Sequence, residues 1–406
     1  MNKIKVLVLN SDTDGVGYWR LLSPYSSFND PEVDVDIRLL MDSTLPLNDE
    51  IFLSQYNIIV YNKAIPFSKP EYKLHFNNIL KKYNIKLVLD IDDFWVLTNS
   101  HPNYKIWKQQ NAQQIVETQI SEADAVTTTT QFLADKIKDF NDNVSICPNA
   151  VNLNEQQWIS DKKYSEKVRF LWGGGITHLV DLRLLKKSFE SFDKDFIDKS
   201  QLYLCGYDLR INTQHGMKKD DPRRSQWTMF ENIFTNNNKW IKNSDYNIWL
   251  KIAEDNGRDN YGYKQEFSTE FYQRRWTKPI LLYGTMYNEC DVVITPLKNN
   301  TTFNLVKSQL KVVEAGAHHC PIICSNYGPY TIDDIEGKND GKQKGFLIDE
   351  DNDSALKWYE SMKYYIDNPD KVKEHGENLY QHVKNNYDIH IVNKIRTNLF
   401  KKLLDI

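Results

Sequence analysis

Nowhere in this 406-residue sequence does an uncharged apolar run approach the ~20 residues that a bilayer-spanning helix requires. The opening run, Met1-Asn-Lys-Ile-Lys-Val-Leu-Val-Leu9, is too short and too β-branched for a signal peptide and reads as a strand entering a polar loop. A soluble, cytoplasmic protein without a transmembrane segment is expected. Cysteine is sparse: Cys147, Cys205, Cys290, Cys320 and Cys324 are scattered and odd in number. Only the last two are close, and no second pair or histidine cluster completes a zinc site beside them. Buried thiols in a reducing compartment are the expectation. Charge of one sign is lacking too. With 51 Lys and Arg against 55 Asp and Glu, the net charge of −4 excludes a global electrostatic footprint for nucleic acid, and leaves a local basic patch open. There is no internal repeat and no low-complexity segment.

What is present is the composition of a folded protein, with 40% hydrophobic and 26% charged residues. The length favours two domains. Short apolar runs alternate with longer helical patterns, the signature of βαβ units and parallel sheets. In the first half the predicted strands are Lys5–Leu9, Val33–Leu39, Ile58–Tyr61, Lys86–Leu89, Ala125–Thr128 and Val144–Cys147. Helices are predicted at Pro70–Lys82, Asn111–Ala123 and Thr130–Phe140. The pattern restarts at Val168–Trp172 and continues with strands at Gln201–Cys205, Val292–Thr295, Pro321–Cys324 and Phe346–Ile348. The reading is therefore α/β, with domains over residues 1–158 and 165–385. The second domain carries an insertion at about 209–280, long enough to hold its own helices. An amphipathic helix, Asp388–Ile406, closes the chain.

The segment from Asn304 to Ala317 reads as one helix, because positions three or four apart share a face. Asn304, Lys307, Ser308, Lys311 and Glu314 then form a polar stripe, and Leu310, Val313 and Ala317 an apolar one. Such a stripe is either a solvated face or a ligand site: a helix start with Ser and Lys suits a diphosphate, and a carboxylate further along suits ribose hydroxyls. The strand Val292–Thr295 precedes it, which places it at the carboxyl edge of a sheet, where ligands bind.

Three motifs carry a resemblance. Asp291-Val-Val-Ile-Thr-Pro-Leu, then Phe303-Asn304, then Lys307-Ser308-x-x-Lys311-x-x-Glu314-x-x-Ala317-x-x-x-Pro321, resembles the donor-site signature of glycosyltransferase-B enzymes related to the retaining "group 1" family. Trp172-Gly-Gly-Gly175-x-Thr177-His178-x-x-Asp181-Leu182 is similar to the first strand and glycine loop of that family's C-terminal domain. Pro148-Asn149-Ala150-Val151 is similar to its Pro-Asn-Gly-Val turn. The motifs lie in the family's order across residues 144–330. The resemblance implies two Rossmann-like domains facing across a cleft, with the terminal helix bracing them. Glu314 matches the ribose-binding glutamate, and Lys311, Lys307 and Ser308 match groups at the diphosphate. Gly173, Gly174 and Gly175 would admit the donor to backbone amides, and His178 would touch it. Many members carry a second glutamate two turns earlier, where this chain has Val306, so sugar recognition would fall to Asn304 or elsewhere.

After the first strand comes Asn10-Ser-Asp12-Thr-Asp14-Gly15-Val-Gly17-Tyr18-Trp19-Arg20. It lacks the third glycine of a dinucleotide fingerprint. The family resemblance assigns Gly15, Gly17 and Arg20 to the donor diphosphate, although Arg20 reads equally as an ordinary surface arginine. Gly-x-Gly-Tyr-x-Arg also resembles loops of bacteriophage-encoded glycosyltransferases. Leu87-Val-Leu-Asp90-Ile-Asp92-Asp93 is a strand ending in carboxylates that suit a base, an acceptor contact or a helix cap. Asp92, Asp93 and His101 are the catalytic candidates.

The resemblance implies metal-independent, retaining transfer from a nucleotide-sugar, UDP-sugar first, with no other cofactor. The acceptor is a surface or lipid-linked glycan, or a hydroxymethylated base of bacteriophage DNA. For the last, Lys218-Lys219 and Arg223-Arg224 of the insertion are a candidate docking surface. The alternative is a non-catalytic nucleotide-sugar-binding protein of the same fold.

Overall fold

In the computed structural model the β-branched runs pair into two parallel sheets. The structure describes residues 3–406 except 43, 100, 102, 164, 176–177, 207–229, 231–232, 234–266, 269 and 277. Lys218, Lys219, Arg223, Arg224, Thr177 and nearly all of the expected insertion lie outside the described residues. Among the described residues no helix is long and apolar enough to cross a membrane.

The first sheet contains β1 (Ile4–Asn10), β2 (Val33–Leu39), β3 (Ile58–Asn62), β4 (Lys86–Ile91), β5 (Ala125–Thr128) and β6 (Val144–Ile146). Their order is β2-β1-β3-β4-β5-β6, all pairs parallel. Side chains alternate faces along each strand, and both faces are covered. Leu7, Leu9, Ile59, Tyr61 and Leu89 pack on one side beneath the helices Pro70–Tyr83, Ala112–Glu122 and Gln131–Ile137. Val6, Val8, Ile58, Val60 and Val88 pack on the other with Leu21, Tyr25, Leu399 and Phe400. Burial on both faces explains why the inner strands β1 and β3 read as nearly continuous apolar runs, whereas the edge strand β2 alternates Val33-Asp-Val-Asp-Ile and is partly exposed.

The second sheet contains β7 (Val168–Gly173), β8 (Ser200–Gly206), β9 (Phe267–Ser268), β10 (Tyr272–Trp276), β11 (Val292–Thr295), β12 (Ile322–Ser325) and β13 (Gly345–Ile348). Its order is β13-β12-β11-β7-β8-β10-β9, parallel except for the antiparallel edge pair β9 and β10. Of the described residues in the expected insertion, Phe267–Ser268 and Tyr272–Trp276 are strand and Phe230 and Ile233 are helical. The core here is built on Phe170, Trp172, Leu185, Phe189, Leu204, Ile294 and Trp358.

Two compact units result: Met1–Glu155 with Leu305–Val313 and Val383–Ile406, and Gln156–Asn304 with Glu314–His382. The terminal helix Ile389–Leu403 folds with the first unit, where Asn393 donates to the Pro24 carbonyl at 2.8 Å and Thr397 to Asp30 at 2.9 Å.

Candidate functional site

In the first unit the sheet's carboxyl edge collects polar residues. Asn10 and Asn62 end β1 and β3, and Asp90 stands one residue before the end of β4. Register aligns Asn62 with Asp90 and Asp90 with Thr127. The loop after β1 returns through a π-helical turn, Tyr18–Leu22, a geometry uncommon outside special sites. Gly15 there has φ +45°, and a Cβ on Gly17 would stand 2.0 Å from the Asp12 carbonyl oxygen, so neither position takes a side chain without strain.

That turn carries Arg20 inward, which corrects the expectation of a donor-facing arginine. Arg20 is 0% exposed. Its Nε and Nη2 each donate to Asp90 at 2.9 Å, and Nη1 donates to the Cys147 carbonyl at 2.8 Å and to Asn149 Oδ1 at 2.9 Å. Thr127 donates to the same carboxylate at 2.6 Å. A planar fork with five donors is suited to this work. Asn149 in turn donates to Ser308 Oγ at 2.9 Å, so Arg20 orients the Pro148–Val151 turn, and the turn holds Ser308.

Beyond β4, Asp92 is half-buried and Asp93 exposed. Burial and the neighbouring Asp93 charge hold the Asp92 carboxyl well above its usual range, against the pull of Arg20. His101 is half-buried, and its Nδ1 accepts from the Asn103 amide at 3.2 Å. Burial, helped by the Lys307 cation and opposed by Asp93, lowers its pKa. Asp92, Asp93, His101 and Lys307 are therefore electrostatically coupled within one unit, a carboxyl shifted up and an imidazole shifted down. Such shifts suit proton transfer near neutral pH. Lys63 joins them. It has φ 63°, its ammonium meets Asp12 Oδ2 at 3.0 Å, and its charge acts on Asp92. Lys63 is not among the residues expected from the sequence, although its position directly after a strand at the carboxyl edge is a local signal.

In the second unit β7 runs into Gly174 and Gly175. The glycines have packing reasons: a Cβ on Gly174 would meet the Trp172 ring at 2.8 Å, and one on Gly206 the Gly174 carbonyl at 1.9 Å. The Gly174 amide donates to the Cys205 carbonyl at 3.0 Å, whereas Gly175 has open space around its Cα. Gly173 packs against Met286, whose Cε would lie 3.1 Å from an added Cβ.

His178 and Asn304 meet on the buried Asp181, which is not among the expected site residues. His178 Nδ1 lies 2.8 Å from Asp181 Oδ2. Asp181 Oδ1 accepts from the Lys298 amide at 2.8 Å and from Asn304 Nδ2 at 3.2 Å. Asn304 Nδ2 also donates to the Lys298 carbonyl at 3.0 Å. A buried carboxylate in the first turn after a glycine loop was the missed clue.

The expected single helical stripe is not continuous. Thr302–Leu305 is one short helix and Leu310–Ala317 another, with a break at 306–309. Val306 is 0% exposed and packs in the first unit's core with Leu305 against it, while Gln309 is buried and donates to the Tyr387 hydroxyl at 3.1 Å. Tertiary burial overrides helix propensity here. Asn304, Lys307 and Ser308 therefore lie off the helix that carries Lys311 and Glu314. Lys307, Ser308 and Lys311 are half-buried. Glu314 is 1% exposed and accepts the Tyr287 hydroxyl on Oε2, and Tyr287 stacks on His318 with ring centroids 5.6 Å apart. Among the described residues no group of three or more His, Cys, Asp or Glu is placed to hold a metal ion.

No protein-family model matches the sequence. No curated protein matches it closely either. Solved structures do match the fold. A glycosyltransferase from Rickettsia africae ESF-5 superposes with a TM-score of 0.55 at 14% identity, over 100% of this chain and 99% of that one. Sucrose-phosphate synthase from Thermosynechococcus elongatus gives 0.55 at 12%, covering 100% of both chains. Anabaena HepE in complex with UDP gives 0.54 at 12%, again over 100% of both. With two α/β units, each on a parallel sheet with polar clusters at its carboxyl edge, the chain has the glycosyltransferase-B fold.

Proposed function

We propose that the protein is a glycosyltransferase that moves a sugar from a nucleoside diphosphate donor, a UDP-sugar first, to a hydroxyl acceptor. The observation that carries this reading is the glycosyltransferase-B fold, in which the helix Leu310–Ala317 bears Lys311 and Glu314 three residues apart and so on one side. Lys311, Lys307 and Ser308 take the diphosphate and Glu314 the ribose. Tyr287 donates to Glu314 Oε2, and access of the ribose to this buried carboxylate is part of binding. Gly175, His178 and Asn304 serve the donor from the second unit, with Asp181 as their support. Gly15 and Gly17 shape the first loop. Asp92, Asp93 and His101 are the groups for acceptor activation, since a hydroxyl nucleophile needs a nearby base. Lysine and helix dipoles in place of a metal would stabilise the leaving diphosphate, and retention of anomeric configuration is proposed with it.

The test is a thermal-shift screen against UDP, GDP, ADP, CMP and their sugar conjugates, followed by assays of nucleotide release with and without EDTA. At a ligand concentration about 100 times Kd, binding adds about 2.7 kcal/mol of stability, a readily visible rise in Tm. One nucleotide class is expected to stabilise the wild type and not Lys311→Ala or Glu314→Ala. Release in EDTA supports the metal-free route, and the anomeric signal of the product reads retention. A surface glycan, a lipid-linked glycan and hydroxymethylated DNA form the acceptor panel. A protein stabilised by a donor that never releases nucleotide would be a binder rather than an enzyme. Absence of any shift would overturn the donor assignment.

A further inference from the structure

Cys290 and Cys320 are both 0% exposed in the second unit, with their sulfurs 3.4 Å apart. Their closeness is built into the sheet. Cys290 lies two residues before β11 and Cys320 two before β12, and these strands pair with Val293 opposite Ile322. Lys162 lies alongside, its ammonium donating to the His319 carbonyl at 3.1 Å. The charged groups that act on the pair are Lys162 and Asp291, the latter gripped by Arg169 at 2.9 and 2.8 Å. The two thiols are not equivalent. Burial raises Cys320, but the hydrogen bond with Cys290 and the Lys162 charge outweigh it and bring the thiol down to about 7. Burial pushes Cys290 up, as it does the separate thiols Cys147 and Cys324. The Cys320 thiol is thus the more readily deprotonated of the two; as a thiol, its sulfur also lies within donating reach of the Tyr287, Cys290 and His318 carbonyls at 3.9, 3.8 and 3.7 Å.

We propose that Cys290 and Cys320 form a reversible disulfide modification site, oxidised by a small hydroperoxide and reset by a dithiol. The Cys320 thiolate attacks one peroxide oxygen. The sulfur–oxygen bond forms, the oxygen–oxygen bond breaks, and hydroxide leaves as water by taking up the proton that Cys320 had released. The Cys290 sulfur then attacks the sulfenic sulfur, and a second water departs with the Cys290 proton. Two thiols and one hydrogen peroxide thus give one disulfide and two waters, with two electrons passing from the sulfurs to the peroxide.

Closing the sulfur separation from 3.4 Å to about 2.05 Å pulls on two elements at once. The Cys320 amide is bonded to the Ala315 carbonyl, next to Glu314, and the Cys290 amide to the carbonyl of Tyr287, which holds Glu314. The site does not depend on the glycosyl-transfer reading, though it would act on the same glutamate.

The full-length, folded protein is exposed to hydrogen peroxide, then unfolded, alkylated and peptide-mapped. The expected result is a cross-linked Cys290–Cys320 peptide with a loss of about 2 Da, released by dithiothreitol, with the other three of the five cysteines alkylated. Its formation rate should be half-maximal near pH 7 and move toward the ordinary thiol value of about 8.5 in Lys162→Met. Cys290→Ser should accumulate sulfenic acid at Cys320, trapped by dimedone. Five alkylated cysteines after peroxide, or a cross-link that forms only in urea, would overturn the proposal. If Cys290→Ser does not fold, the wild-type map decides alone.

Discussion

Asp92 sits in an environment that its type does not prefer. Half-buried beside Asp93 and Asp90, its carboxyl titrates above the unfolded value near 3.9. Between those two pKa values the native state binds more protons than the unfolded one. Stability therefore falls as pH rises through that window, and the penalty is complete above the folded pKa. Asp92→Asn should remove the penalty, raising the urea midpoint at neutral pH and flattening this part of the pH profile. If Asp92 activates the acceptor, the same variant should lose roughly 10²–10⁴-fold in transfer rate. A gain in stability with a loss in rate is the pattern of a functional carboxylate, since active sites hold groups in costly positions. An unchanged urea midpoint across pH would contradict the shift.

Elements show how packing remakes local preference. Nothing between Asn304 and Glu314 is a helix breaker, yet the helix is interrupted at 306–309 because Val306 is drawn into a core that includes Ile91, Trp95 and Leu133. By the family resemblance, Val306 stands where many members would carry a glutamate. Val306→Glu should not restore a sugar contact; it should bury a charge without a partner and cost about 3–5 kcal/mol. Val306→Ala, which loses two methyl groups and leaves a small cavity, should cost about 2 kcal/mol. Urea denaturation distinguishes these magnitudes. A Val306→Glu protein as stable as wild type would place the side chain outside the core.

At the scale of the whole molecule, the first unit is assembled from three separated stretches of chain. Residues 305–313 supply Val306 to one face of its sheet, and the terminal helix supplies Leu399 and Phe400 to the other. The sequence reading places a boundary at residues 158–165, and the contacts change over between Glu155 and Gln156. A fragment of residues 1–158 would lack both returning stretches and expose Ile4, Val6 and Val8 where the terminal helix packs. It should fail to give a cooperative melt or slow amide exchange. A fragment with native-like, cooperative unfolding would show that the returning segments are dispensable.

Much of the fold was legible because the signal was local. Every strand expected in both halves is present within two residues of its predicted ends, because inner strands covered on both faces are apolar runs and the edge strand Val33–Leu39 shows two-residue alternation. The helices Pro70–Tyr83 and Ala112–Glu122 follow from their 3.6-residue periodicity in the same way. The candidate site was legible only in part. Asp92 and Asp93 were visible as carboxylates at a strand end and His101 in the loop beyond, but Arg20 read as a donor-facing or surface cation until its partner Asp90, 70 positions away, came into view. Asp181, which gathers His178, Lys298 and Asn304, owes its role to chain segments more than 100 residues apart. Sequence alone determined where the expected strands and the longer helices form, because hydrophobic periodicity is a property of neighbouring residues. Only the tertiary structure decided strand order, the break before Leu310 and which charged groups are buried in pairs, because those depend on contacts between residues that the chain keeps far apart.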